Sequence, residues 1–334
     1  MKTECLRAAG IWVDSDRVSS LKEFGIILYS GEITGMLGLV GSGITVVADA
    51  LSGRKKLEKG QIYMDHTPVQ IRGMAQAEKM GIYVISEKTI FLDDLRLEEN
   101  LCLSQRQESM GITFPSEKQI SRIRRCMEEL KIQLKLKEYP KKLGSLECHL
   151  AEILRAYLMG CRILILNHIA NRYTRKELEK LKDVLDLLKE KGIAILLLES
   201  SCERVCKGTD SLYVLRGGRV EGIFERKEYD PGKIKRVMLG DYEIPDTQKT
   251  QFFYENDKTL LLEARGLEST AFKELCFQVE KGEVIGFWEE ENGICQPLLK
   301  VLWGEEKTVK GSLWLGEKKL KPGCGHSDFV KQGI

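Results

Sequence analysis

The chain has 334 residues, enough for one large domain or two ordinary ones. Charged residues make up 31% and hydrophobic residues 43%, a globular composition, and 52 Lys and Arg against 50 Asp and Glu leave no footprint for nucleic acid or an acidic membrane. No apolar run reaches the length of a membrane-spanning helix, residues 1–7 lack a signal-peptide core, and the 10 cysteines include no Cys-x2-Cys pair, so the sequence predicts a reduced, cytoplasmic chain.

The apolar pattern predicts mixed α/β structure in a fixed order. A buried strand over 33–39 runs into glycines and a helix over 44–51. A short strand follows at 81–85. Helices are predicted over 116–134, with charges on one face, and over 146–159. A central strand at 162–166 precedes a long helix at 174–191. Thr174 and Glu177 form a capping box at its start. A strand at 192–198, a hairpin from 210 to 220 turning at Gly217-Gly218, and a helix over 232–239 complete the series. Strands alternating with helices predict a mostly parallel sheet.

An internal repeat divides the chain. Gly31-Glu32-Ile33-Thr34-Gly35 returns 251 residues later as Gly282-Glu283-Val284-Ile285-Gly286. The same spacing carries Leu51-Ser52-Gly53 onto Leu302-Trp303-Gly304, and Lys59-Gly60-Gln61-Ile62 onto Lys310-Gly311-Ser312-Leu313. The expected organisation is a full domain at 1–240, a polar linker at 241–258, and the amino-terminal part of a second domain at 259–334, which stops short.

Gly38-Leu39-Val40-Gly41-Ser42-Gly43-Ile44-Thr45 leaves a strand and opens a helix, the placement of a phosphate-binding loop, G-x4-G-K-S/T. Its glycines free backbone N–H groups for phosphate, and the helix amino terminus adds a favourable dipole. Isoleucine stands where the motif has lysine. Thr45, the magnesium-side hydroxyl, is kept.

The flanking segments are Leu51-Ser52-Gly53, Gly81-Ile82, Pro68-Val69-Gln70-Ile71-Arg72, Leu97-Glu98-Glu99-Asn100-Leu101 and Val214 through Val220. In this order the chain resembles ATP-binding subunits of ABC transporters, in particular the monosaccharide-importer type with two fused cassettes. The resemblance implies a P-loop NTPase-like fold: a parallel core sheet with helices, an antiparallel β part and a helical subdomain, followed by a partial second cassette.

The resemblance also maps the site. Gly38, Gly41, Ser42, Gly43, Ile44, Thr45 and Val46 would surround the phosphates of ATP. Asn167-His168 replaces the Asp-Glu pair that ends the Walker B strand, supporting magnesium and orienting the attacking water. The signature segment becomes Leu143-Gly144-Ser145-Leu146-Glu147, with leucine for a glycine and a carboxylate where phosphate would approach. The sensing glutamine becomes Glu87 and the switch histidine Ser200, while Ile85-Ser86-Glu87-Lys88 resembles the form found in second cassettes. In the repeat, three carboxylates at 289–291 occupy the second phosphate loop.

The resulting expectation is a degenerate cassette of a sugar-type import system. It would bind ATP weakly, hold Mg2+ poorly through Thr45, and act as a partner or regulatory subunit. Its partners would be a permease or another cassette ATPase, in a homodimer or heterodimer at the inner face of the plasma membrane. An active importer ATPase and a non-transport interaction or sensory module stay open as alternatives. The cluster Ile90, Phe91, Leu92 and Leu95, rimmed by Asp93 and Asp94, is read either as core or as a docking patch for a permease helix.

Overall fold

The chain opens with β1 (Glu4–Val13) and β2 (Leu21–Tyr29), antiparallel partners, and continues into β3 (Ile33–Gly38), every residue of which is buried. The structure, a computed structural model, describes residues 2–14, 20–103, 115–201, 208–240, 259–269, 271–287, 294–306, 310–320 and 330–331. Two units are distinguished, Met1–Tyr242 and Glu243–Ile334. The expected linker at 241–258 lies outside the described residues, as do residues 288–293, most of the second phosphate loop.

In the first unit β3 leads into α1 (Ile44–Leu51), then β4 (Lys59–Met64), β5 (Thr67–Val69), α2 (Met74–Lys79) and β6 (Ile82–Ser86). The helices α3 (Leu97–Leu103), α4 (Glu117–Glu129) and α5 (Ser145–Leu158) come next. They are followed by β7 (Ile163–Asn167), α6 (Arg175–Glu190), β8 (Ala194–Glu199), the hairpin β9 (Ser211–Arg216) and β10 (Arg219–Glu225), and α7 (Pro231–Leu239). The central sheet has the order β10-β9-β3-β8-β7-β6, parallel from β9 to β6, with β10 antiparallel at the edge. A second, antiparallel sheet has the order β2-β1-β4-β5.

The parallel strands read as unbroken apolar runs because both their faces are covered. In β7, Leu164 and Leu166 face a core shared with α3, α4, α5 and α6, while Ile163 and Ile165 face a core shared with α1 and the antiparallel sheet. The expected helix at 116–134 ends early, at Glu129, because Lys131 adopts a left-handed φ of 53° and turns the chain so that Leu130 and Ile132 both enter the core. The capping boxes at Ser116 and Gln119 and at Thr174 and Glu177 are both formed.

The second unit repeats the antiparallel sheet. Strands β11 (Leu260–Glu268), β12 (Leu275–Glu280), β13 (Lys310–Leu315) and β14 (Lys318–Leu320) have the order β12-β11-β13-β14, and α8 (Cys295–Leu302) takes the place of α1. The repeated Lys-Gly pair has a geometric cause. Gly60 and Gly311 have φ of 93° and 92°, and a Cβ there would lie 2.4 and 2.3 Å from the carbonyl oxygens of Gly10 and Gly266. Only glycine fits where β4 passes β1, and where β13 passes β11.

Candidate functional site

Parallel register brings the sequence-predicted residues to one edge. Ser86 pairs with Asn167, Asn167 with Leu198, and Leu37 with Glu199. The carboxyl ends of β6, β7, β8 and β3 therefore deliver Glu87, Asn167 and His168, Ser200, and the Gly38 loop side by side. This is the edge at which open α/β sheets bind ligands.

The loop between β3 and α1 is tightly fixed. Ser42 N–H donates to Leu39 O at 2.9 Å, and Ser42 O accepts from Gly218 N–H at 2.8 Å, so the β9–β10 turn braces the loop. Gly43 and Gly218 have φ of 94° and 84°, and a Cβ on either would lie 2.5 Å from Ser20 O. Ser42 Oγ accepts the Ile44 N–H at 3.3 Å. Among the described residues the N–H groups of Gly41, Gly43 and Thr45 meet no acceptor. They form a row of donors at a helix amino terminus, suited to an anion.

Ile44 itself is turned away. Its side chain is 3% exposed and joins the core with Val46 and Val47, whereas Thr45 is exposed. Val40, at the loop tip, is 99% exposed.

Across the edge, Asn167 Oδ1 is buried and has no hydrogen-bond partner among the described residues. His168 holds a left-handed φ of 55°, with its N–H on Leu198 O at 3.0 Å. Burial pushes its imidazole below the ordinary value, and the charge of Glu87 opposes that shift. Glu199 is buried behind it; one carboxylate oxygen accepts Ala170 N–H at 3.2 Å and the other lies 3.9 Å from His168 Nδ1. Ser200 is exposed.

A phosphate group fits the backbone of the loop. Magnesium does not fit in the same way: the two positions that would face it carry the Thr45 hydroxyl and the neutral Asn167 Oδ1, with no carboxylate at either, although Mg2+ is ordinarily held by one or two carboxylates beside the phosphates; the same edge does carry the Glu87 carboxylate.

The contacts of Leu143-Gly144-Ser145-Leu146-Glu147 stay within their own surroundings. Glu147 Oε2 accepts Gly144 N–H at 2.8 Å. Gly144 and Ser145 are exposed, while Leu146 is buried.

Sequence reasoning missed three residues beside the edge. His149, Glu152 and Asn100 are buried polar side chains that bond the backbone of residues 86–96. Asn100 was visible within Leu97-Glu98-Glu99-Asn100-Leu101, but its partners lie in the loop before it.

A glycine-rich loop between a central parallel strand and a helix, with the neighbouring strands ending beside it, defines a P-loop nucleotide-binding cassette. The family described as "ABC transporter" matches residues 21–170. The first unit has the α/β fold of an ABC cassette, and residues 21–170 carry the likeness to that family's ATP-binding domain.

Relatives named "Ribose import ATP-binding protein RbsA" match nearly the whole chain. The protein of Clostridium perfringens (strain 13 / Type A) is 28% identical over 337 residues, covering 100% of this chain and 66% of the relative. That of Jannaschia sp. (strain CCS1) is 25% identical over 312 residues, covering 92% and 59%. The chain thus spans about two thirds or less of these relatives' length.

Among solved structures, the ADP conformation of MJ1267, an ATP-binding cassette of an ABC transporter, superposes with a TM-score of 0.61 at 21% identity, covering 71% of this chain and 96% of that one. The dimeric structure of MJ0796, a bacterial ABC transporter cassette, gives 0.56 at 16% identity, covering 67% and 100%. Both share the fold.

Proposed function

We propose that the chain serves a sugar import system as a cassette subunit that binds nucleotide weakly, hydrolyses it slowly or not at all, and works mainly through protein contacts. The names of the RbsA relatives support the sugar-import setting. The burial of Ile44 in the core, where the family's loop carries lysine, carries the rest. That lysine is the main cation on the transferred phosphate, and its loss together with both carboxylates at Asn167 and His168 removes charge from the transition state as well as from the ground state.

In this reading the loop of Gly38, Gly41, Ser42, Gly43, Ile44, Thr45 and Val46 still offers a phosphate the N–H groups of Gly41, Gly43 and Thr45, the others being bonded within the fold. Glu87, Asn167, His168 and Ser200 line the edge without supplying hydrolysis. A permease or a second cassette is the partner, which would place the chain at the inner face of the membrane. No helix of the described residues is long and apolar enough to cross a membrane. Ile90 and Leu92 are each 56% exposed, the remaining apolar surface of the expected docking patch, while Phe91 is half-buried against the helical core.

Calorimetric titration of magnesium-ATP into the purified chain, paired with a phosphate-release assay, tests the reading. Weak binding with no steady turnover is expected. Sub-micromolar binding, or turnover at rates typical of enzymes, would overturn it and favour an active importer ATPase.

A further inference from the structure

The internal repeat puts the same positions in two different surroundings. At its spacing, Ile33 and Met36 of β3 become Val284 and Phe287, while Ala48 of α1 and Ser52 behind it become Leu299 and Trp303. In the first unit all four are buried, at 2% exposure or less. In the second, Val284 is 95% exposed, Leu299 56%, Trp303 48% and Phe287 40%.

The first unit also shows what covers this face. Strand β3 is paired along both edges, Ile33 with Ile195 and Met36 with Leu198 of β8, and Gly35 with Leu212 and Met36 with Tyr213 of β9. Helix α1 touches β1 of the antiparallel sheet on one side and β3, β7 and β8 of the central sheet on the other. In the second unit α8 has its antiparallel side alone. Leu298 and Val301, the counterparts of Val47 and Ala50, are buried in a core with Ala264, Leu267 and Leu313. Among the described residues, 283–287 form no strand and pair with none.

The residue types do not suit a face left to water. Leucine and tryptophan stand where the first unit has alanine and serine, so the bare side of α8 carries more apolar area than its buried counterpart. Beside it, Val284 and Ile285 keep the β-branched character of Ile33 and Thr34. An apolar cluster next to an unpaired extended segment is an adhesive surface.

We propose that Val284, Phe287, Leu299 and Trp303 form a docking face for a separate polypeptide that carries parallel strands equivalent to β7, β8 and β9, the later part of a cassette. Its strands pair with both edges of residues 283–287, as β8 and β9 do with β3, and cover α8 as β7 and β8 cover α1. Leu299 and Trp303 fill space that Ala48 and Ser52 leave open, so the strands facing α8 carry smaller side chains than Ile163 and Ile165 of β7. A second copy of this chain does not meet the need, because its β8 and β9 already flank its own β3. Neither nucleotide nor permease takes part, so failure here leaves the proposed function standing.

Co-expression of the full chain with the part of the Clostridium perfringens RbsA relative that lies outside the match tests this. A 1:1 complex is expected in size-exclusion chromatography with light scattering. Amide hydrogen exchange at Ile285, Gly286 and Phe287 should slow at least about tenfold relative to the chain alone. The double variant Val284→Lys with Leu299→Lys alters mostly exposed side chains, so its denaturation midpoint should hold while capture falls at least about tenfold. A fragment that stays uncaptured, soluble or not, would overturn the proposal, as would equal capture by the double variant. Protection of 285–287 that grows with the concentration of the chain alone would assign the face to a second copy instead. If the double variant does not fold, exchange in the wild-type complex decides: a complex formed without slowing at 285–287 defeats the proposal.

Discussion

Glu147 Oε2 accepts the Gly144 N–H at 2.8 Å, so the amino terminus of α5 is closed by a carboxylate from its own first turn. The bond satisfies one of the donors a helix leaves open and sets negative charge against the positive end of its dipole. The same charge opposes a phosphate approaching Ser145. Glu147→Ala should lower stability by about 0.5–1 kcal/mol in chemical denaturation. Glu147→Gln, which can keep the bond without the charge, should lose less. Equal losses in the two variants would mean that the dipole, not the bond, carries the effect.

Ile44→Lys is expected to strengthen nucleotide binding without creating turnover. A charge-assisted phosphate contact is worth about 1.5–3 kcal/mol, or roughly one to two decades of affinity. Asn167 and His168 still supply no carboxylate, so phosphate release should stay at background. Because Ile44 is part of the core, the variant should also be less stable by about 1–3 kcal/mol when nucleotide is absent. Steady turnover in this single variant would show that the roles given to Asn167 and His168 are wrong.

The parallel sheet was legible because its strands are short apolar runs between helices whose ends are written in local chemistry, as at Thr174 and Glu177. The strands β1 and β2 were not. Register shifts between Ala8 and Ile11, and again between Ile11 and Val13, break the alternation that betrays a half-buried strand. The site divides in the same way. Its phosphate loop is one contiguous motif and could be read directly. The bonds that hold residues 86–92 could not, because Glu152 and His149 act on backbone groups about sixty residues earlier, and a side-chain-to-backbone bond leaves no mark on the partner's residue type.

Glu152 should also shape the pH dependence of global stability. Its folded carboxyl titrates near 7, above the ordinary 4.5 of the unfolded chain, so the folded state holds the proton more tightly. Its contribution is fully present below the unfolded value and is lost as pH rises through 7, by on the order of 3 kcal/mol in all. Denaturation midpoints of the wild type, relative to Glu152→Gln, should therefore fall from pH ~5 to ~8. Parallel curves for the two proteins would leave Glu152 without this role.

The docking reading of residues 87–95 now rests on Ile90 and Leu92, since Phe91 packs against the helical core and is a poor probe of the surface. Phe91→Ala should cost about 1–3 kcal/mol of stability and so confuse folding with binding. The double variant Ile90→Ser with Leu92→Ser removes exposed apolar area only. It leaves the backbone N–H groups that Glu152 and Asn100 hold. Its denaturation midpoint should stay close to that of the wild type, because surface changes away from such anchors cost little. Asp93 and Asp94 are exposed beside the pair, and Lys141 approaches Asp94 at 3.8 Å, so the rim presents carboxylates to a basic helix and Lys141 competes for one of them. Co-purification with a permease of the monosaccharide-importer type should fall sharply for the double variant and rise modestly for Lys141→Ala, which frees Asp94. Unchanged co-purification of the double variant, with its fold intact, would place the permease contact elsewhere on the domain.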